Sequence, residues 1–281
     1  MNLELLFQQF LKEKLYIQNV SHNTIWFYEQ SFKTFNLQEP ITKSQLNGRV
    51  TALRELGKSP ACCDAYIRGV NPFLTWLFEN EHLSEHLKIK RLKLEKRVMK
   101  TFTDAQIRAV LTFKPKTFHE ARLHTLLCTL AETGIRIDEG LGLLRCRVDF
   151  DNLLLTVQGK GNKERIVPFS VELRKVLFKW LRQHNFPLVF PTRCGGRQLY
   201  DNVRRDFRRL MDKLGIDGFD GAFHAFRRCF AKNYTRRGGN LFYLQQILGH
   251  EDIKVTRTYV DVEVEALQET HLQTSLMNRL R

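Results

Sequence analysis

Between Lys88 and Lys100 the chain reads KIKRLKLEKRVMK, seven basic residues against the single acid Glu95. Charged side chains of this density stay out of a hydrophobic core, and apolar patterning resumes on both sides of the run. The chain therefore divides into a first body over residues 1–90, a basic linker over 91–100 and a second body over 101–281. A charge run by itself is most often a solvated surface. Lying between two segments with cores of their own, this one reads as an interdomain connection that can follow a chain of phosphates.

Before the run, apolar residues recur at helical spacing. Leu3, Leu6, Phe7, Phe10 and Leu11 form one stripe. Trp26, Phe27, Phe32 and Phe35 follow Ser21, and Leu46, Val50, Leu53 and Leu56 follow Thr42. Ser21 and Thr42 carry the side-chain oxygens that cap helices, and Gly57 closes the third helix. Ser59-Pro60 opens a fourth through Tyr66, Ile67, Phe73, Leu74 and Leu77. Pro72 predicts a kink there, because proline has no amide to donate inside a helix. Four short amphipathic helices make a small bundle.

After the run, helical spacing predicts helices near Asp104–Leu111, Glu120–Glu132, Ile137–Leu143, Val171–His184, Asp201–Leu214, His224–Arg236, Leu241–Leu248 and Glu263–Met277. One interruption has strand character: Leu153–Val157 and Arg165–Pro168, joined by Gly159-Lys160-Gly161-Asn162. The expected fold class is thus mainly α with a small antiparallel β-sheet (α+β).

The partner is suggested by charge. The formal net charge is +15 and the pI about 9.7, with a positive excess in both halves. That balance fits a protein that binds a polyanion. Cys62, Cys63, Cys128, Cys146, Cys194 and Cys229 show no CxxC spacing, a pattern of reduced thiols in a cytoplasmic protein. The N-terminal MNLELLFQQFLKEK mixes charges into its first turns and lacks the apolar stretch of a signal peptide. No apolar stretch approaches membrane-spanning length, so a soluble protein without a membrane partner is expected.

Three familiar signals fail. Gly57-Lys58-Ser59 resembles the end of a phosphate-binding loop, but Ala52 stands where that motif needs its first glycine. His82 and His86 have the i, i+4 spacing of a helical metal site without a third ligand. Gly159-Lys160-Gly161 is too short for a dinucleotide fingerprint. No metal and no cofactor is expected.

A second set of residues carries more. Arg136 follows Thr133-Gly134-Ile135, with Glu139 three residues on. Lys160 sits in the hairpin turn. His224 and Arg227 occupy Phe223-His224-Ala225-Phe226-Arg227. His250 ends Leu248-Gly249-His250, and Tyr259 follows nine residues later. Singly, each has an ordinary reading: a surface arginine, a solvated turn lysine, core histidines, a half-buried tyrosine. Together, in this order, they resemble the tyrosine recombinase (phage integrase, Xer-like) family over residues 101 to about 265, and more loosely over the N-terminal helices. The family's arginine box is matched by Arg136 and Glu139, its hairpin lysine setting by Lys160 to Arg165, its His-x-x-Arg box by His224 and Arg227, and its Leu-Gly-His and tyrosine by His250 and Tyr259. One departure is Arg228, where the family often has histidine.

The resemblance implies a SAM-like helical core-binding domain that clamps DNA, joined to a recombinase catalytic domain. It implies cleavage and rejoining of DNA through a 3′-phosphotyrosyl link at Tyr259, for integration, excision or resolution. Arg136 and Arg227 would clamp the phosphate oxygens with paired donors, which an ammonium cannot do. A phenol with a pKa near 10 is a poor nucleophile until its proton is taken up, a task for His224. Lys160 would protonate the departing 5′-oxygen, His250 would bond the phosphate and Glu139 would orient Arg136. DNA contacts are expected at Lys88, Lys90, Arg91, Lys93, Lys163, Arg165 and Arg228. The implied partner is double-stranded DNA, bound at two sites by a homotetramer or with a second recombinase, in the cytoplasm at the nucleoid. Two alternatives stay open: a type IB topoisomerase-like strand transferase, and an inactive DNA-binding regulator on the same fold.

Overall fold

A computed structural model of the chain describes residues 2–95, 99–159, 163–250 and 252. Lys160, Tyr259, residues 96–98 of the basic run and the helix expected over 263–277 lie outside the described residues. The chain forms two compact units, Met1–Arg97 and Val98–Arg281. The fold is mainly α with one small antiparallel sheet. Among the described residues, no helix is long and apolar enough to cross a membrane.

The first unit holds α1 (Leu3–Tyr16), α2 (His22–Phe35), α3 (Lys43–Glu55) and α4 (Pro60–Glu79). Asn2, Ser21, Thr42 and Ser59 cap them, each side-chain oxygen accepting an amide three residues on. Each such cap stabilises its helix by about 1 kcal/mol. Aromatic side chains fill the core: Phe7 stacks on Phe32 at 3.9 Å, and Phe10, Phe73 and Trp76 pack around them. Helix α4 continues beyond Pro72 to Glu79. Gly57-Lys58-Ser59 proves to be the α3–α4 connection, with Ser59 as cap. His86 stacks on Phe78 and pairs with Thr75.

The basic run begins as a strap on this unit. Leu87 and Ile89 turn inward while Lys88 and Lys90 face water, the period-2 alternation of extended chain. Buried Asn71 exchanges two 3.0 Å hydrogen bonds with the backbone of Ile89. Buried Asp64 accepts Arg91 through both oxygens, at 3.1 and 2.6 Å, and the Leu92 amide at 3.1 Å. The Arg91 bond holds the Asp64 carboxyl below its usual range against the upward push of burial.

In the second unit, α5 (Asp104–Leu111), α8 (Val171–Leu181), α9 (Tyr200–Leu214) and α10 (Ala222–Arg236) pack around α6 (Phe118–Thr133). Leu126, Leu127 and Leu130 of α6 are fully buried. Each stabilises the unit by about 1.5–3 kcal/mol relative to exposure. Short α7 (Ile137–Leu141) leads to the sheet, which has the order β1 (Val148–Asp149), β2 (Leu154–Gln158), β3 (Glu164–Pro168). In the hairpin Val157 pairs with Arg165 and Gln158 with Glu164, which fixes the face Arg165 presents. Strand β1, two residues long, carries no pattern a sequence reading could detect. Helix α11 (Leu241–Leu248) lies against β3.

Candidate active site

Two helices end in the same place. Gly134 closes α6 and Gly249 closes α11, both left-handed, at φ of 62° and 64°. An added Cβ on Gly134 would stand 2.4 Å from a Phe230 ring carbon and 2.9 Å from Leu248. One on Gly249 would stand 3.0 Å from Arg165 Cδ. Glycine is thus required at both turns by conformation and by space. Helix C-termini leave carbonyls without helical partners and carry partial negative charge. Guanidiniums gather on these.

Arg227, only 4% exposed, sits on α10. It donates to Gly134 O at 2.8 Å, to Leu248 O at 2.6 Å and toward His250 Nε2 at 2.8 Å. Arg136 caps α7 in extended conformation. Its guanidinium reaches Leu248 O and Gly249 O only at 3.5 Å, and its side chain remains 38% exposed. Glu139 accepts the Arg136 amide at 2.7 Å and its guanidinium at 3.0 Å. Arg165, from β3, grips both oxygens of the same carboxylate at 2.8 Å and donates to Ile247 O at 2.7 Å. Burial pushes the Glu139 carboxyl up, but hydrogen bonds from Arg165 and then Arg136 outweigh it, so it stays ionised.

Two histidines complete the described site. Burial first, then the charges of Arg227, Arg136 and Arg165, lower the His250 pKa to about 4. His250 is therefore neutral near pH 7 and bonds as an imidazole, with Nε2 accepting from Arg227. His224 lies one helical turn before Arg227 on α10 and faces solvent. Its pKa is lowered by burial of part of the ring and by Arg227, Arg228 and Arg136, with Asp138 opposing. It is thus a neutral group able to accept a proton.

Arg136, Glu139, Arg227 and His250 thus come together directly, with His224 in their field. Lys160 and Tyr259 lie outside the described residues. Of the residues expected on DNA, Lys88, Lys90 and Lys93 are exposed on the first unit and Lys163 on the second. Three arginines of that expectation have partners within the protein. Arg91 is paired with Asp64 and Arg165 with Glu139. Arg228 bridges the carbonyls of Lys100 and Asp220, tying the start of the unit to α10. Conversely, Arg147 and Arg197 line a cleft of about 520 Å³ beside Arg136, Gln158 and Gly159. Sequence reasoning missed both, because neither belongs to a spaced motif.

Comparison with known proteins follows the same geometry. The model of the phage integrase family matches residues 100–266. Tyrosine recombinase XerD of Brucella abortus is 35% identical over 154 residues, 52% of this chain and 50% of that protein. The match thus spans about half the length of that relative. XerD of Pseudomonas putida is 27% identical over 95% of this chain and 96% of its own. XerA of Saccharolobus solfataricus is 30% identical over 74% of this chain and 66% of its own. Among solved structures, the Tn1549 transposon integrase in complex with transposon right end DNA superposes with a TM-score of 0.79 at 18% identity, covering 98% of this chain and 100% of that one. XerH bound to its difH substrate superposes at 0.72 and 18%, covering 95% and 82%.

Proposed function

This chain belongs to the phage integrase family of tyrosine recombinases, and from that premise we propose that it cuts and rejoins DNA at specific sites through a phosphotyrosyl link at Tyr259. The observation that carries the reading is the convergence of Arg136, Arg227 and His250, from three separate stretches of chain, on the ends of α6 and α11. A phosphodiester gains negative charge on its non-bridging oxygens as it is displaced, and fixed guanidiniums lower that barrier without reorganising.

In the proposed reaction, the Tyr259 oxygen attacks phosphorus and its proton passes to neutral His224. The bond to the 5′-oxygen breaks, and that oxygen takes a proton from Lys160. Arg136 and Arg227 hold the non-bridging oxygens, and His250 donates a further hydrogen bond. The phosphotyrosyl ester retains the energy of the broken link, so an incoming 5′-hydroxyl reverses the step on a new strand without ATP. In the proposed division of labour, the second unit does this chemistry and the first clamps the duplex. The exposed Lys88, Lys90 and Lys93 support that role. Four protomers, or two pairs of related recombinases, would bridge two DNA sites. The relatives that support DNA as partner are the Tn1549 integrase and XerH, both solved on DNA.

The reading is tested by incubating the full chain with genomic fragments in EDTA, denaturing, and sequencing DNA that stays attached to protein. Adduct formation should persist in EDTA, because positive side chains do the work that metal ions do in other phosphoryl transfers. A strict Mg²⁺ requirement for adduct formation refutes this mechanism.

Assembly carries a separate prediction. After Tyr259, Leu267, Leu272, Leu276, Met277 and Leu280 recur at roughly helical spacing. An apolar stripe must be buried somewhere, and head-to-tail docking on a neighbour would close a ring. A chain ending at Asp261 should bind one DNA site as a monomer yet fail to join two sites, read by gel shift and by recombination between two plasmids. Recombination at the full rate would show that the tail has no role in assembly.

A further inference from the structure

Arg165 stands on a strand with its side chain only 13% exposed. Its three nitrogens are all engaged within the protein: Nη1 and Nη2 on Glu139, Nε on Ile247 O. A carboxylate offers about four acceptor positions. Glu139 fills them with two bonds from Arg165, one from the Arg136 amide and one from Arg136 Nη1. The side chain of Glu139 is 5% exposed, so its charge is little screened by water. That charge lies 3.0 Å from the guanidinium proposed to hold the phosphate. A lone Arg136–Glu139 pair is neutral overall, and its field at a nearby phosphate is largely cancelled. Adding Arg165 restores a net charge of +1 and places the excess on Arg136, the more exposed of the two arginines.

We propose that Arg165 is a positioning residue that neutralises Glu139, so that Glu139 can orient Arg136 without consuming its charge. The inference rests on the reading of Arg136 as a phosphate clamp. Arg165 also links three parts of the site. It stands on β3 beside β2, holds the carboxylate that caps α7, and bonds the last turn of α11 ahead of His250. Three of its five N–H donors are committed within the protein and its side chain is only 13% exposed, so its main part is to hold Glu139 rather than a phosphate.

The test uses full chains and a nicked duplex carrying the sequence recovered from the adduct experiment, with adduct formed per second and DNA affinity measured separately. Arg165→Gln should slow adduct formation by about 10- to 100-fold, the range for removing a partner that orients a reacting group, while DNA affinity stays level. Arg165→Lys should be intermediate, since it keeps the charge but loses the two-pronged grip. The distinguishing readout is rescue. Adding Glu139→Gln to Arg165→Gln removes the uncompensated carboxylate, so the double variant should form adduct faster than Arg165→Gln alone. A merely structural role predicts the opposite, two losses that accumulate. Should Arg165→Gln fail to fold, the double variant decides: adduct formation supports the proposal, and a folded double variant without adduct overturns it. The proposal also falls if Arg165→Gln cleaves at the normal rate, or if DNA affinity drops in step with cleavage. Absence of adduct with the unaltered chain would instead refute the functional reading itself.

Discussion

Replacing Tyr259 with phenylalanine should abolish the denaturant-resistant protein–DNA adduct and leave DNA affinity unchanged. Only the hydroxyl is lost, so the attacking atom disappears while the rest of the side chain is unchanged. Deleting a covalent nucleophile costs on the order of 10⁶-fold in rate, the largest single effect expected in this protein. The measurement is adduct formed on a nicked duplex, beside a gel shift on the same DNA. A Tyr259→Phe chain that still forms adduct would show the nucleophile to be another residue. Tyr243, 61% exposed on α11, is the tyrosine to replace next.

Arg227→Gln should lower both reactivity and stability, and the two losses have separate origins. Removing a preorganised donor to developing charge slows the chemical step by about 10²–10³-fold. The stability loss comes from Gly134 O and Leu248 O, left without their 2.8 and 2.6 Å donors in a buried place. An unpaired buried carbonyl costs about 1–3 kcal/mol; Gly134 O loses this donor outright and Leu248 O keeps only the 3.5 Å approach of Arg136, so the thermal midpoint should fall as well. Arg227→Lys keeps the charge, but a single ammonium cannot reproduce the fork that spans two helix ends, so it should recover stability in part and rate less. A further sign is fixed by electrostatics. Burial and then Arg227 hold the His250 pKa at about 4, so losing the guanidinium charge should raise it. Below its unfolded pKa, near 6.5, the depressed His250 costs stability as pH falls. Arg227→Gln should soften that acid dependence. NMR titration of the imidazole and thermal melts between pH 4 and 7 read the two effects; an unmoved His250 pKa would break the argument.

Much of this protein is legible along the chain because the signals are local. Helical spacing, Ser21, Thr42 and Ser59 as caps, and the glycines after α6 and α11 each depend on a few neighbouring residues, and the structure places these elements within a few residues of expectation. The basic run is legible as a break in composition. Its first residues were not legible as a strap, since Asp64 and Asn71 are one acid and one amide in the middle of a helix stripe. Their purpose depends on segments 18 and 27 residues away. Arg147 and Arg197 carry no motif, and only the folded cleft brings them beside Arg136.

The sequence by itself determined the fold class, the family and the types and order of the proposed reacting groups, because periodicity, capping and motif spacing are properties of short stretches. Only the tertiary structure decided what each arginine does. Arg91, Arg136, Arg165, Arg227 and Arg228 are the same side chain along the chain. In the fold, Arg91 meets Asp64, Arg165 meets Glu139 and Arg228 meets the carbonyls of Lys100 and Asp220. Arg227 meets the end of α6, 93 residues away, and Arg136 the end of α11, 113 residues away. A guanidinium goes where a buried carboxylate or an unpartnered helix carbonyl needs its donors, and those partners are brought near only when distant segments pack.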